Sequence, residues 1–143
     1  IIGSIDESVS SEIENLIKDD KRILYLGWKN NIDLRRYLCA ADIYIQLGTQ
    51  SATMQNAACT GCALALYPFK SHIELFGNNA FYISSENDVE SLLIDITENN
   101  EILKEMAKNS FLIAKSKLDY KKLAGKVTNN NGKFNGRKSD ARR

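Results

Sequence analysis

Residues 42–67 read DIYIQLGTQSATMQNAACTGCALALY, and the pattern in this stretch is the clearest indication of the fold class. It begins and ends with short runs of mainly apolar residues, at 42–47 and 63–67, and each run has the length of a strand. Small residues between them predict a helix over 51–60, which Gly61 stops at the usual C-terminal glycine position. A strand, a helix and a second strand in this order predict a βαβ unit with parallel strands.

The same alternation continues on both sides of this unit. Further strands are predicted at 1–3, 23–26 and 80–83, and the run at 23–26 is apolar enough for a strand buried on both faces. Further helices are predicted over 8–18, from Asn31, and over 70–76, 87–99, 101–117 and 120–127. Ser8 or Ser10 is expected to cap the first of these helices and Asn31 the second.

This pattern predicts an α/β fold, a Rossmann-like parallel sheet with helices on both faces. In such sheets ligands bind in the crevice beyond the carboxyl ends of the strands. The 143 residues suffice for one domain with a core, which we expect to occupy residues 1–128. Residues 129–143 are rich in Asn, Gly, Lys and Arg, and we expect them to form a disordered basic tail.

Charge separates the expected tail from the expected domain. The tail has five basic residues and one aspartate, a net charge of +4, which leaves −3 for the rest of a chain whose total is +1. A domain with this balance gives no electrostatic reason to expect nucleic acid as a partner. We find no apolar run of membrane-spanning length and no secretion leader, and the odd number of cysteines fits a reducing cytoplasm. Because the chain begins with Ile1 rather than methionine, we expect a longer parent protein.

The spacing of Cys59 and Cys62 could indicate a redox pair or half of a metal site. Redox pairs usually open a helix, whereas this pair closes one, and a zinc site needs four ligands. The favoured interpretation is that both are small core residues, so no metal site is predicted.

Several segments, in this order, resemble the C-terminal, donor-binding domain of retaining glycosyltransferases with the two-domain, Rossmann-like GT-B architecture. They are IIGS at 1–4, RILYLGW at 22–28, the stretch 33–68, SHIELFGNNAFYI at 71–83 and NNEILKEMAKNSFLIAKSKLDYKKLA at 99–124. Enzymes of this family build polysaccharides and lipopolysaccharides.

The resemblance implies a donor and an acceptor but no cofactor. The chain would bind a nucleotide-diphosphate sugar, and an N-terminal domain outside this sequence would bring a glycan or lipid-linked acceptor. The parent protein would be cytoplasmic or peripheral at the inner membrane. The resemblance also implies that the first strand of the half-domain is missing, which would leave two unpaired strand edges. We therefore expect either a homo-oligomer or a rearranged sheet.

The substrate-binding residues that the resemblance implies all follow predicted strands or open the helix after one. They are Gly27, Trp28, Gly48, Thr49, Gln50, Ser51, Asn56 and His72. Trp28, or the backbone beside it, would meet the base, and the helix N-terminus at Ser51 suits a diphosphate. The family usually carries two glutamates across this loop, but Gly48 and Asn56 occupy those positions here. No catalytic residue is therefore assigned.

Other functions and other roles remain open at this point. The loss of both glutamates fits a sugar-nucleotide-binding scaffold without catalysis in a polysaccharide assembly complex. A nucleotide-sugar epimerase of similar fold is a third hypothesis. His72 could be a base, a phosphate donor or an ordinary surface histidine. Glu74 could touch the donor sugar or ribose, or it could be a cap or simply solvent-exposed. Asp33 with Arg35 and Arg36 is most simply a solvated helix face.

Overall fold

A computed structural model describes residues 1–99 and 101–131, and the side chains as far as residue 125. The chain separates into two compact units, one of residues Ile1–Tyr37 and the other from Leu38 onward. The division falls within helix α2, which spans Asn31–Ala40.

The first unit contains a short 3₁₀ turn at Glu7–Val9, helix α1 at Ser10–Asp19, and two extended segments near its start and its end. The segments run parallel, since Leu26 N–H donates to Ile1 C=O at 2.9 Å and Gly3 N–H donates to Gly27 C=O at 3.1 Å. They are not regular strands, because Gly3 and Gly27 have positive φ angles that interrupt the extended backbone. The prediction of a strand buried on both faces at 23–26 is therefore wrong, and Leu24 is 63% exposed.

Two predicted helix caps in this unit are displaced along the chain. The side chain of Asp6 accepts hydrogen bonds from the backbone and hydroxyl of Ser8, so it caps the 3₁₀ turn and α1 has no side-chain cap. The side chain of Asn30, rather than Asn31, caps α2, since its Oδ1 accepts from the amides of Ile32 and Asp33 at 2.9 Å each.

The second unit contains a parallel three-stranded sheet. Its elements are β1 (Ile43–Gln46), α3 (Ala52–Thr60), β2 (Ala63–Leu66), α4 (Lys70–Phe76), β3 (Phe81–Tyr82), α5 (Glu86–Glu98), α6 (Glu101–Lys117) and α7 (Tyr120–Asn131). The strand order is β1-β2-β3, with Ile43 opposite Ala63 and Ala65 opposite Phe81. The predicted βαβ unit is confirmed, and in the described part of the chain three of the five predicted strands form a sheet.

The core of the second unit centres on β2, whose four residues are all inaccessible to solvent. Ala65 packs with Ile83 and with Leu92 of α5, so the neighbouring leucines of β2 point to the opposite face. Helices α3 and α6 pack against each other, and both contact β2. The predicted α/β fold, a parallel sheet flanked by helices, is confirmed.

The ends of two helices bear on the sequence predictions. Gly61 has φ 78°, and the bonds from Cys62 N–H to Ala57 C=O and from Gly61 N–H to Ala58 C=O close α3 as predicted. Helix α7 continues to Asn131, beyond the predicted start of the tail at Asn129. The rest of that tail lies outside the described residues, so its disorder stays a prediction.

Helix α5 begins with a reciprocal cap, and the contribution of this cap to stability should depend on pH. Asp88 Oδ2 accepts hydrogen bonds from the amides and hydroxyls of Ser84 and Ser85. These bonds, led by the one from the Ser84 backbone, lower the pKa of Asp88 from 3.8 to about 2. A depressed carboxyl pKa stabilises the folded state fully above the unfolded pKa of 3.8, and the contribution is lost as pH falls through about 2.

We expect the amide NMR shifts of Ser84 and Ser85 to titrate together with a midpoint near pH 2, which is the folded pKa of Asp88. In the Asp88→Asn variant this titration should vanish, since the amide side chain does not ionise. A midpoint near 3.8 in the wild type would show that the cap does not hold the carboxylate.

Candidate functional site

The three strands of the sheet are parallel, so their carboxyl ends meet at one edge of the second unit. The segments that leave this edge are residues 47–51 after β1, 67–69 after β2 and 83–85 after β3. Four of the predicted binding residues, Gly48, Thr49, Gln50 and Ser51, lie in the first of these segments. These four residues therefore lie at the sheet edge at which folds of this kind bind ligands.

The loop after β1 is open to solvent and ends in a helix cap. Gly48, Thr49 and Gln50 are exposed. Ser51 has an extended backbone, and its Oγ accepts a hydrogen bond from Met54 N–H at 3.0 Å, which caps α3. A Cβ added at Gly48 would meet Gln46 Nε2 at 3.8 Å, an ordinary contact, and its φ is not positive, so the backbone does not require glycine there.

The first turn of α3 presents unpaired amides. The hydroxyl of Ser51 accepts a hydrogen bond from Met54 N–H, and its carbonyl accepts one from Gln55 N–H. In the part of the chain that the structure describes, the amides of Ala52 and Thr53 have no protein partner. Unpaired amides at a helix N-terminus carry the positive end of the helix dipole and bind anionic groups.

Asn56 lies one turn further along α3. Ala52 and Asn56 are four residues apart and both exposed, so they share the solvent-facing side of the helix, opposite the buried Met54 and Ala57. The side-chain amide of Asn56 makes no hydrogen bond to another described residue. It can both donate to and accept from a ligand hydroxyl.

A hydrogen-bond network that the sequence analysis did not predict organises this loop. Gln46 is the last residue of β1, and its Oε1 accepts from the hydroxyls of Tyr44 and Ser51 while its Nε2 donates to Thr49 C=O. Burial raises the pKa of Tyr44, so its hydroxyl remains a donor at neutral pH. The available signal was a polar residue at the end of an otherwise apolar strand.

His72 lies inside the second unit rather than on its surface. The residue is fully buried, and its Nδ1 is 2.8 Å from Tyr67 C=O. Because a carbonyl only accepts, Nδ1 carries the proton, and Nε2 is left without a partner among the described residues. The ring of Phe69 packs edge-on against the imidazole, with the two ring centroids 5.5 Å apart. His72 therefore anchors the loop after β2 through its hydrogen bond to the Tyr67 carbonyl. A direct contact between His72 and substrate stays a prediction.

The remaining two predicted site residues belong to the first unit. Gly27 has φ 63°, a conformation that favours glycine, although an added Cβ would meet no atom within 4 Å. Trp28, the only tryptophan of the sequence, is 81% exposed. Asp33 pairs with Arg36 at 3.2 Å on an exposed part of α2, which agrees with the interpretation as a solvated helix face.

The cysteines lack the environment of a redox pair. All three are free and only Cys62 is buried. Burial raises the pKa of the Cys62 thiol, and partial desolvation raises the pKa of Cys59. The Cys62 thiol donates to Leu38 C=O at 3.1 Å, as a core residue would. The expectation that Cys59 is also a core residue is wrong, because it lies on the exposed side of α3.

Glu74 is an exposed residue of α4. Its carboxylate lies 3.8 Å from Lys70 Nζ, and its backbone C=O accepts a hydrogen bond from Lys117 Nζ at 3.2 Å. No group of three potential ligands for a metal ion occurs among residues 1–99 and 101–131. No described helix is both long and apolar enough to cross a membrane.

The second unit's parallel sheet, flanking helices and strand-end loop give the chain the fold of half a GT-B protein. The solved structure of Alr3699/HepE from Anabaena in complex with UDP is similar, with a TM-score of 0.75 and 13% sequence identity. The structure of the same protein in complex with UDP-glucose has a TM-score of 0.77 and 15% identity. Each match covers 93% of this chain and only 40% of the other. No protein-family model and no curated protein sequence matches the chain.

Proposed function

We propose that this chain is the donor-binding domain of a glycosyltransferase and binds a uridine-diphosphate sugar at the carboxyl edge of its sheet. The observation that carries the proposal is the open first turn of α3, at the sheet edge of a fold shared with a protein solved in complex with UDP and UDP-glucose. The diphosphate would accept hydrogen bonds from the amides of Ala52 and Thr53.

The proposed reaction needs the rest of the parent protein. A hydroxyl of the acceptor forms a new bond to the anomeric carbon of the sugar, the bond from that carbon to the diphosphate breaks, and UDP and the hydroxyl proton leave. Negative charge grows on the diphosphate as its bond breaks, so amides at a helix N-terminus stabilise the transition state. The acceptor would be a glycan or lipid-linked sugar held by the other half of the parent protein.

Asn56 is proposed to bind the ribose. As an exposed residue on the same side of α3 as Ala52, it offers its amide to a hydroxyl of the nucleotide. A neutral acceptor forms a weaker bond than a carboxylate would, by about 1 kcal/mol.

Calorimetric titration with UDP, GDP and ADP tests the proposal. We expect saturable binding of UDP, affinity lowered about fivefold in Asn56→Ala, and affinity raised by a similar factor in Asn56→Glu. Asn78→Ala makes the same truncation at an exposed residue between α4 and β3, outside the proposed site, and serves as the control for nonspecific effects. Equal binding of UDP by wild type and both Asn56 variants would remove Asn56 from the site.

One observation favours a second function, binding without catalysis. Gly48 and Asn56 stand where the resembling family usually has glutamates, so this loop supplies no carboxylate at either position. A scaffold would bind the sugar nucleotide in the full parent protein without releasing UDP to an acceptor. Product analysis of the parent distinguishes the hypotheses: a new glycosidic bond indicates a transferase, a free sugar isomer an epimerase, and unchanged donor a scaffold.

A further inference from the structure

Gln46 joins four parts of the strand-end region, three through its side chain and one through its backbone. Its Oε1 accepts from Tyr44 on β1 and, at 2.6 Å, from Ser51 at the cap of α3. Its Nε2 donates to Thr49 C=O in the loop between them. Its own backbone C=O accepts from Tyr67 N–H at 3.4 Å, where β2 ends.

The bond to Ser51 fixes the direction of the capping hydroxyl. A serine hydroxyl has one proton, and here the proton points to Gln46, which leaves the lone pairs of Oγ for Met54 N–H at 3.0 Å. The cap therefore takes the third amide of α3. The amides of Ala52 and Thr53 stay open to a ligand within the described structure.

Glutamine is the side chain that these partners require. The two hydroxyls need an acceptor, and the Thr49 carbonyl needs a donor. Glutamate would keep the acceptors, lose the donor, and set a negative charge against a carbonyl oxygen. Leucine has a similar size and supplies neither.

We propose that Gln46 is a positioning residue, which holds the loop 47–51 and the Ser51 cap in the arrangement that binds the phosphates of the nucleotide. This inference rests on the proposed function, since it concerns the same site. Gln46 acts through Ser51 and Thr49 and does not itself touch the ligand.

The test compares Gln46→Leu with Gln55→Leu, the same change on α3 at a partly buried glutamine without a side-chain hydrogen bond to another described residue. Amide exchange at Met54 reports the cap without any ligand, and the ratio of UDP to uridine affinity reports the phosphates alone. We expect Gln46→Leu to speed Met54 exchange about fivefold and to lower the UDP-to-uridine ratio by a similar factor. Gln55→Leu should change neither.

Each result decides the proposal. Unchanged Met54 exchange in Gln46→Leu would overturn the claim that Gln46 sets the cap, whatever UDP does. Faster exchange with an unchanged UDP-to-uridine ratio would reduce Gln46 to a structural residue and overturn the positioning role. If wild type binds uridine and UDP equally, or binds neither, then the proposed phosphate site fails and the role of Gln46 in it fails as well. In that case the Met54 exchange rates describe only the structure of the loop and its cap.

Discussion

The variant Ala52→Glu should lose UDP binding without losing stability. Ala52 is the first residue of α3, it is exposed, and its amide is one of the two proposed phosphate donors. A carboxylate there would lie within a few ångströms of the diphosphate. Repulsion between unit charges at such a distance near a protein surface is about 3 kcal/mol, so affinity should fall roughly a hundredfold. The same carboxylate favours the helix by about 0.5 kcal/mol, because it faces the positive end of the dipole.

The neutral variant Ala52→Gln separates the effect of the charge from the effect of side-chain size. It has the same shape as the glutamate variant and should keep most of the UDP affinity. Isothermal calorimetry measures binding, and thermal unfolding measures stability in the same samples. If Ala52→Glu binds UDP as wild type does, the phosphates are not at this helix N-terminus. Equal loss in both variants would indicate steric obstruction rather than repulsion.

The variant Leu64→Ala should lose a large part of the stability of the folded chain. Leu64 is fully buried in the central strand of the sheet, whose neighbours on both sides are β1 and β3. Truncation removes apolar contacts and leaves a cavity that the strand cannot close by moving. We expect the free energy of unfolding to fall by about 3 kcal/mol in urea denaturation.

Leu93→Ala is the matched control for this prediction. Leu93 belongs to α5 and is 58% exposed, so the same truncation should change the free energy of unfolding by less than about 0.5 kcal/mol. Equal effects of the two substitutions would mean that β2 is not the centre of the core.

The sequence predicted the second unit well because its patterns are local. The run at 63–67 has no polar residue before Tyr67, and β2 is the buried central strand. Gly61 marks the end of α3 because a left-handed residue closes a helix most easily when it lacks a Cβ. The strand predicted at 23–26 has an equally apolar pattern. Gly27 has a positive φ angle, however, and only isolated hydrogen bonds join this segment to the segment at 1–3, so no regular strand pair forms.

The candidate site was predictable in position and less so in detail. A glycine-bearing loop before a small-residue helix indicated Gly48–Ser51, and Ser51 does cap α3. The burial of His72 depends on how α4 packs, and no local pattern around that residue reports it. The role of Gln46 arises from three partners that become neighbours only when the loop folds back on β1.

The most direct test of the central claim is an amide NMR titration of the chain with UDP. We expect saturable binding with a dissociation constant of about 1 mM or tighter, which corresponds to a binding free energy of about 4 kcal/mol. We also expect the largest shifts on the amides of Ala52 and Thr53, with smaller ones on the loop 47–51. Absence of shifts at several times that concentration, or shifts that leave the start of α3 unchanged, would contradict a nucleotide site at this sheet edge.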